Sequence, residues 1–172
     1  QYAWIMGPIT LSHMDASISA DHTKDWEVNV ERYARSHNYQ YSTRDEDLTY
    51  NPDNEVVGTS ILQRVFDVKN KSKDMEAVVG AIKSIKETLV KLDADIARRV
   101  YRNQFRSADR KDISLVYPFE SWTRFENSNG LPPNFATAYD KINGKGSWQN
   151  NVVKVLDNHT DGWYDEIRVM IK

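Results

Sequence analysis

The densest group of potential metal ligands in the chain is His13, Asp15, Asp21 and His22. Imidazole nitrogens and carboxylate oxygens together suit zinc or manganese, and the i, i+2 spacing of His13 and Asp15 puts both on one face of an extended strand. His13, Asp15 and His22 are thus the candidates for a metal-dependent hydrolase. Their spacing matches no recognised ligand motif, and Asp21-His22 also stands where polar residues precede a helix. No metal and no cofactor is assigned on these residues.

Other chemistries lack their required parts. Asp157, Asp161 and Gly162 resemble part of a calcium loop, but Arg168 occupies the position that needs a bidentate glutamate. The stretch NGKGSW at 143–148 has glycines and a lysine without the spacing of a phosphate-binding loop. No serine lies in a GxSxG elbow, His37 and His159 are scattered, and the absence of cysteine removes thiolate nucleophiles, thiolate metal sites and disulfides. No catalytic constellation is left, so the reading leans away from an enzyme.

Two surface chemistries are legible instead. Arg98, Arg102, Arg106 and Arg110 are spaced by four, which on a helix aligns them in one stripe beside Tyr101 and Phe105. Guanidinium forks suit phosphate and the aromatics suit base stacking, so the stripe is a candidate polyanion or nucleic-acid surface, or a docking surface for an acidic partner. Cations also complement the dipole at a helix C-terminus, which is the plainer reading. Further on, Trp122, Phe125, Tyr139 and Trp148 could line a ligand platform; such aromatics more often anchor an irregular segment to its core.

The elements that must position these groups follow from periodicity. Residues 2–14 read as a strand or arm broken at Gly7-Pro8, 23–38 as a helix and 39–54 as an acidic loop. A short helix is expected over 60–68, then a long one, capped by Asp74, over 75–106. Met75, Ile82, Leu89 and Ile96 at heptad position a, with Val78, Ile85 and Leu92 at d, form its apolar seam. No g-to-e′ ion pair supports a parallel coiled coil, and the seam drifts at its end, so it reads first as an intramolecular core stripe. Gly80 and Ala81 would admit a close neighbour. A buried strand is expected at 113–117 and a small helix at 133–142, stopped by Asn143-Gly144. A C-terminal hairpin is expected to turn at Asp161-Gly162.

The expected fold class is therefore α+β: a small antiparallel or mixed sheet from both chain ends, packed on one long helix plus shorter helices. One domain is expected over residues 1–172, with 1–22 as an extended N-terminal arm. The sequence contains no apolar run long enough for a membrane span and no signal-peptide pattern, so a soluble chain is expected, its compartment open. Charge is uneven: residues 1–60 hold four Lys and Arg against ten Asp and Glu, a net −6, leaving +4 for the rest within a total of −2. Such polarity favours partners of opposite charge, including copies of the chain itself. These observations point first to a non-enzymatic assembly subunit, of a viral or other large complex, acting through self-association with protein partners. The alternatives are a nucleic-acid-backbone binding module and the hydrolase.

Overall fold

A computed structural model describes residues 20–29, 31–33, 40–51, 59–105, 111–122 and 130–169, with side chains omitted at 20–22 and 33. The chain divides into two compact units, Gln1–Tyr39 and Gln40–Lys172. In the first, helix α1 spans Ala20–Asn29 and a 3₁₀ turn spans Glu31–Tyr33, shorter than the expected helix over 23–38. The expected strand or arm over 2–14 lies outside the described residues.

The second unit is a five-stranded antiparallel sheet packed on one long helix, with shorter helices around it. Its strands are β1 (Ser42–Arg44), β2 (Ser60–Val68), β3 (Arg99–Asn103), β4 (Ile113–Phe119) and β5 (Thr160–Val169), in the order β1-β3-β4-β2-β5. The long helix α2 spans Lys71–Lys91; α3 spans Phe135–Asn143, and a π-helical stretch Trp148–Val153 runs into α4, Lys154–His159. Among the described residues no helix is long and apolar enough to cross a membrane.

Several elements differ from the sequence expectation, each for a local reason. The expected helix over 60–68 is instead β2, which pairs with both β4 and β5. β2 is buried on both faces: Leu62, Phe66 and Val68 meet the helix side, and Val65 and Gln63 are buried on the other. Continuous burial of this kind erases the period-2 alternation and leaves an apolar run that reads equally as a helix. Part of the expected acidic loop over 39–54 is the short strand β1, followed by a turn over 45–48.

The long helix starts and stops earlier than expected. Asn70, not Asp74, is the N-cap: its side chain accepts the Ser72 N–H at 3.1 Å, while Asp74 in the first turn accepts the Asn70 N–H at 2.9 Å. At the other end Ala94 N–H reaches Leu89 C=O and Asp93 N–H reaches Val90 C=O, the paired bonds of a Schellman stop. Asp93 takes the left-handed conformation (φ 45°) usually given to glycine. With no Gly or Pro to mark it, this stop is invisible to pattern reading, and Arg99–Asn103 is strand β3 rather than helix.

The apolar stripe of α2 is used within the chain and splits between two clusters. Val78 and Ile82 pack on the sheet with Leu62, Phe66, Val100, Ile113, Leu115 and Phe119. Ile85 and Leu89 pack with Ala94, Ile96, Phe135, Tyr139 and Val152. Polar contacts stitch α2 to α3 beside them: Tyr139 donates to Ser84 Oγ at 2.8 Å, and Asn143 Nδ2 to Thr88 Oγ1 at 3.0 Å. The expected helix over 133–142 is α3, and Gly144 (φ 105°) ends it. Pro118 lies past Val116, the last β4 residue paired with β3 among the described residues, a position where a sheet tolerates proline.

The C-terminal hairpin is not formed. Residues expected as its first strand are the π-helical stretch and α4, and Asp161-Gly162 lies inside β5. There the pairing shifts from Asp67↔Gly162 to Val68↔Thr160, so Asp161 is the extra residue of a β-bulge, with Gly162 at φ 135°.

The expected close approach at Gly80 is also absent: a Cβ built there meets nothing within 4 Å. Gly80→Ala should therefore raise stability by about 1 kcal/mol through helix propensity alone, read from the urea midpoint. Arg98 is the reverse case. Fully buried, it donates from Nη2 to the carbonyls of Ile82 (2.9 Å) and Leu48 (3.2 Å). Arg98→Ala should cost about 3 kcal/mol in the same measurement and Arg98→Met less, since methionine refills most of the volume.

Candidate association surface

The described residues include only some of the sequence-predicted site residues. Of the arginine stripe, Arg98 is 0 % exposed and Arg102 is ion-paired with Asp45. Arg106 and Arg110 lie outside the described residues. In strand β3 residues four apart still share a face, but that face carries the core residue Val100 and is turned towards α2, which takes Arg98 inside. Of the aromatic platform, Tyr139 is buried and Trp148 half-buried, and Trp148 packs edge-on to both Tyr139 and Phe135 in the second core cluster. Trp122 is 55 % exposed, its ring edge-on to Phe119 at 5.2 Å, and Phe125 lies outside the described residues. The metal candidates His13 and Asp15, and the side chain of His22, also lie outside them. Among the described residues no three His, Asp or Glu side chains gather around a common point.

What the sequence did not single out is β5. Register with β2 places Trp163, Asp165, Ile167 and Val169 on the sheet face that carries Leu62 and Phe66, the face covered by α2 over β2, β3 and β4. No β5 residue joins that core, so the cover ends before the sheet does. Trp163, Ile167 and Val169 are consequently 54 %, 51 % and 58 % exposed. Beyond β5 no further strand pairs among the described residues. An edge strand presents a row of N–H and C=O groups to whatever comes alongside.

The charges of this strand are matched in place. Asp165 accepts Arg64 Nε and Nη2 at 2.8 and 2.7 Å, and the same guanidinium lies 4.4 Å from the centre of the Trp163 ring. Burial pulls the Arg64 pKa down, but the hydrogen bonds and charge of Asp165 outweigh it and hold the group above its ordinary value. On the opposite face Glu166 pairs with Lys111 at 2.8 Å and with Arg168. Burial would raise the Glu166 carboxyl; the two cations overcome that and leave it below the usual carboxylate range.

A second arrangement with chemical potential is the His159–Asp74 pair, 2.8 Å apart, at the junction of α4 and α2. A His–Asp contact is half of a hydrolytic triad, but Asp74 also caps the Asn70 N–H, and Lys69 Nζ donates to the carbonyls of Asp157 and Asn158. The whole group closes the N-terminus of α2 against α4. Its function is joinery, and only spacing across 85 residues, which no local pattern carries, brings it together.

Both carboxyls have consequences in acid. His159 chiefly lowers the Asp74 pKa, as Lys111 and Arg168 lower that of Glu166. A carboxyl depressed in the folded state contributes stability above its unfolded value and loses it as pH falls through the folded one. The thermal midpoint should therefore drop as pH is lowered below about 4, and Asp74→Asn should flatten part of that slope in a pH series of melting curves.

Compared with known proteins, the chain matches no family model, no curated protein and no solved structure.

Proposed function

We propose that this chain is a non-enzymatic association module whose sheet accepts a strand from a partner along the outer edge of β5. The observation that carries the reading is the ten-residue edge strand with its exposed row of Trp163, Ile167 and Val169. The other sheet edge, β1, is three residues long and backed by the turn over 45–48. Folded proteins usually blunt an edge by such shortening, or by proline, bulges and unpaired charge. β5 has its bulge only at the start, contains no proline over its length, and its Asp165, Glu166 and Arg168 are already neutralised by neighbours. An incoming strand would gain main-chain hydrogen bonds and apolar contact without first meeting an isolated charge.

A polyanion-binding role draws less support, because Arg98 is interior and Arg102 already faces Asp45. A metal-dependent hydrolase has no gathered ligand set among the described residues.

A photoreactive benzoylphenylalanine placed at position 167 tests the edge, with position 90 on the exposed face of α2 as control. In extract of cells producing the full chain, a discrete adduct should form from 167 and be reduced several-fold by Val169→Lys. Equal labelling from 167 and 90 would sink the reading.

A further inference from the structure

We propose that the strand received by β5 is β5 of a second copy of this chain, paired antiparallel about a two-fold axis through Ile167; this rests on the association reading above. Residues facing each other across such a pair lie on the same pleat face, so the axis must pass through a residue. Each centre then fixes every opposite pair, and the sequence of β5 discriminates among the five from Tyr164 to Arg168.

A centre at Asp165, Glu166 or Arg168 sets that charged residue against itself. Like charges directly opposite each other destabilise a strand pair. A centre at Tyr164 sets Ile167 against Asp161 of the second copy and Trp163 against Asp165, losing the apolar row to carboxylates. A centre at Ile167 sets Ile167 against itself, and Glu166 against Arg168 twice, once on each side of the axis. Val169 then faces Asp165, whose charge Arg64 already holds.

The two faces of the joined sheet would differ. On the α2 side, the two Ile167 side chains meet at the centre, each at present about half exposed. On the other side, the Lys111–Glu166–Arg168 cluster of each copy merges into one alternating network, because Glu166 and Arg168 already share an ion pair within the strand. Self-complementarity of charge in one register is what an isologous contact requires, and a strand evolved only to stay monomeric has no need of it. The result is a continuous ten-stranded sheet across the dimer, five strands from each copy.

The test uses the purified full chain. Sedimentation equilibrium should show dimer, and because the chain has no cysteine, Ile167→Cys should oxidise to a covalent dimer while Val169→Cys does not. Glu166→Arg and Arg168→Glu should each weaken dimerisation about tenfold, since each replaces two attractive pairs by two repulsive ones. Mixing the two variants should restore it, as every pair across the axis is again opposite in sign; misfolded variants would not recover on mixing. A monomer at all concentrations, crosslinking through Val169→Cys instead of Ile167→Cys, or no recovery on mixing would overturn the proposal. If the purified chain is monomeric but position 167 still gives its discrete adduct in extract, the second copy is excluded and the edge reading stands. If neither occurs, both fall.

Discussion

A guanidinium without a carboxylate beside it sits at the junction of the fold. Arg98 exchanges backbone hydrogen bonds with Tyr50 in both directions, at 2.6 and 2.9 Å, while its side chain reaches the carbonyl of Ile82 on α2 and that of Leu48 in the turn after β1. Burying a cation is costly, and among the described residues it has only carbonyl dipoles and the Tyr117 phenol for compensation. Burial lowers the Arg98 pKa and raises that of Tyr117, each opposed by the other's proximity. The acceptors belong to three separate pieces of chain. None of them can be displaced without stranding the charge, so helix, turn and strand are coupled into one cooperative unit.

The frame built on that junction decides which surfaces are left over. α2 spends its whole apolar stripe on two clusters inside the chain, and α3 with the π-helical stretch closes the second of them. Asp112 does similar work at the start of the helix: nearly buried, it accepts the Val68 N–H and pairs with Lys71, fastening the end of β2 to the first turn of α2. With the helix committed inward, Trp163, Ile167 and Val169 remain in water at the sheet margin beyond it, as Val90, Phe105 and Trp122 do elsewhere. The contrast between the two margins is one of length, three residues at β1 and ten at β5.

The α+β class, the long helix, strand β4 and helix α3 were legible in the residues. Their signals are local: a four-turn apolar stripe, a β-branched and aromatic run before Pro118, and Asn143-Gly144 as a stop. What escaped is set by tertiary partners. β2 lost its alternation because both its faces are covered, and the end of α2 escaped because Asp93 stands where glycine would have announced the stop. That one misplaced boundary made Arg98 and Arg102 look like part of a stripe on a helix surface, although the strand face they share is turned towards the core. For a related reason sequence proximity could not separate the exposed Trp122 from Tyr139 and Trp148, which lie against the core. β5 itself was read as strand, but its position at the margin depends on strand order, which no stretch of fewer than a hundred residues contains.

The bulge at Asp161 bears on how such a surface tolerates change. Asp161 stands opposite no residue of β2, since Thr160 pairs with Val68 and Gly162 with Asp67, so the ladder can close without it. Loss of Asp161 would leave Trp163, Ile167 and Val169 on the α2 side, because the pairs beyond the bulge are already in step with the pair before it. The bulge is therefore slack in the strand: a one-codon deletion there could be absorbed with the apolar margin kept in place.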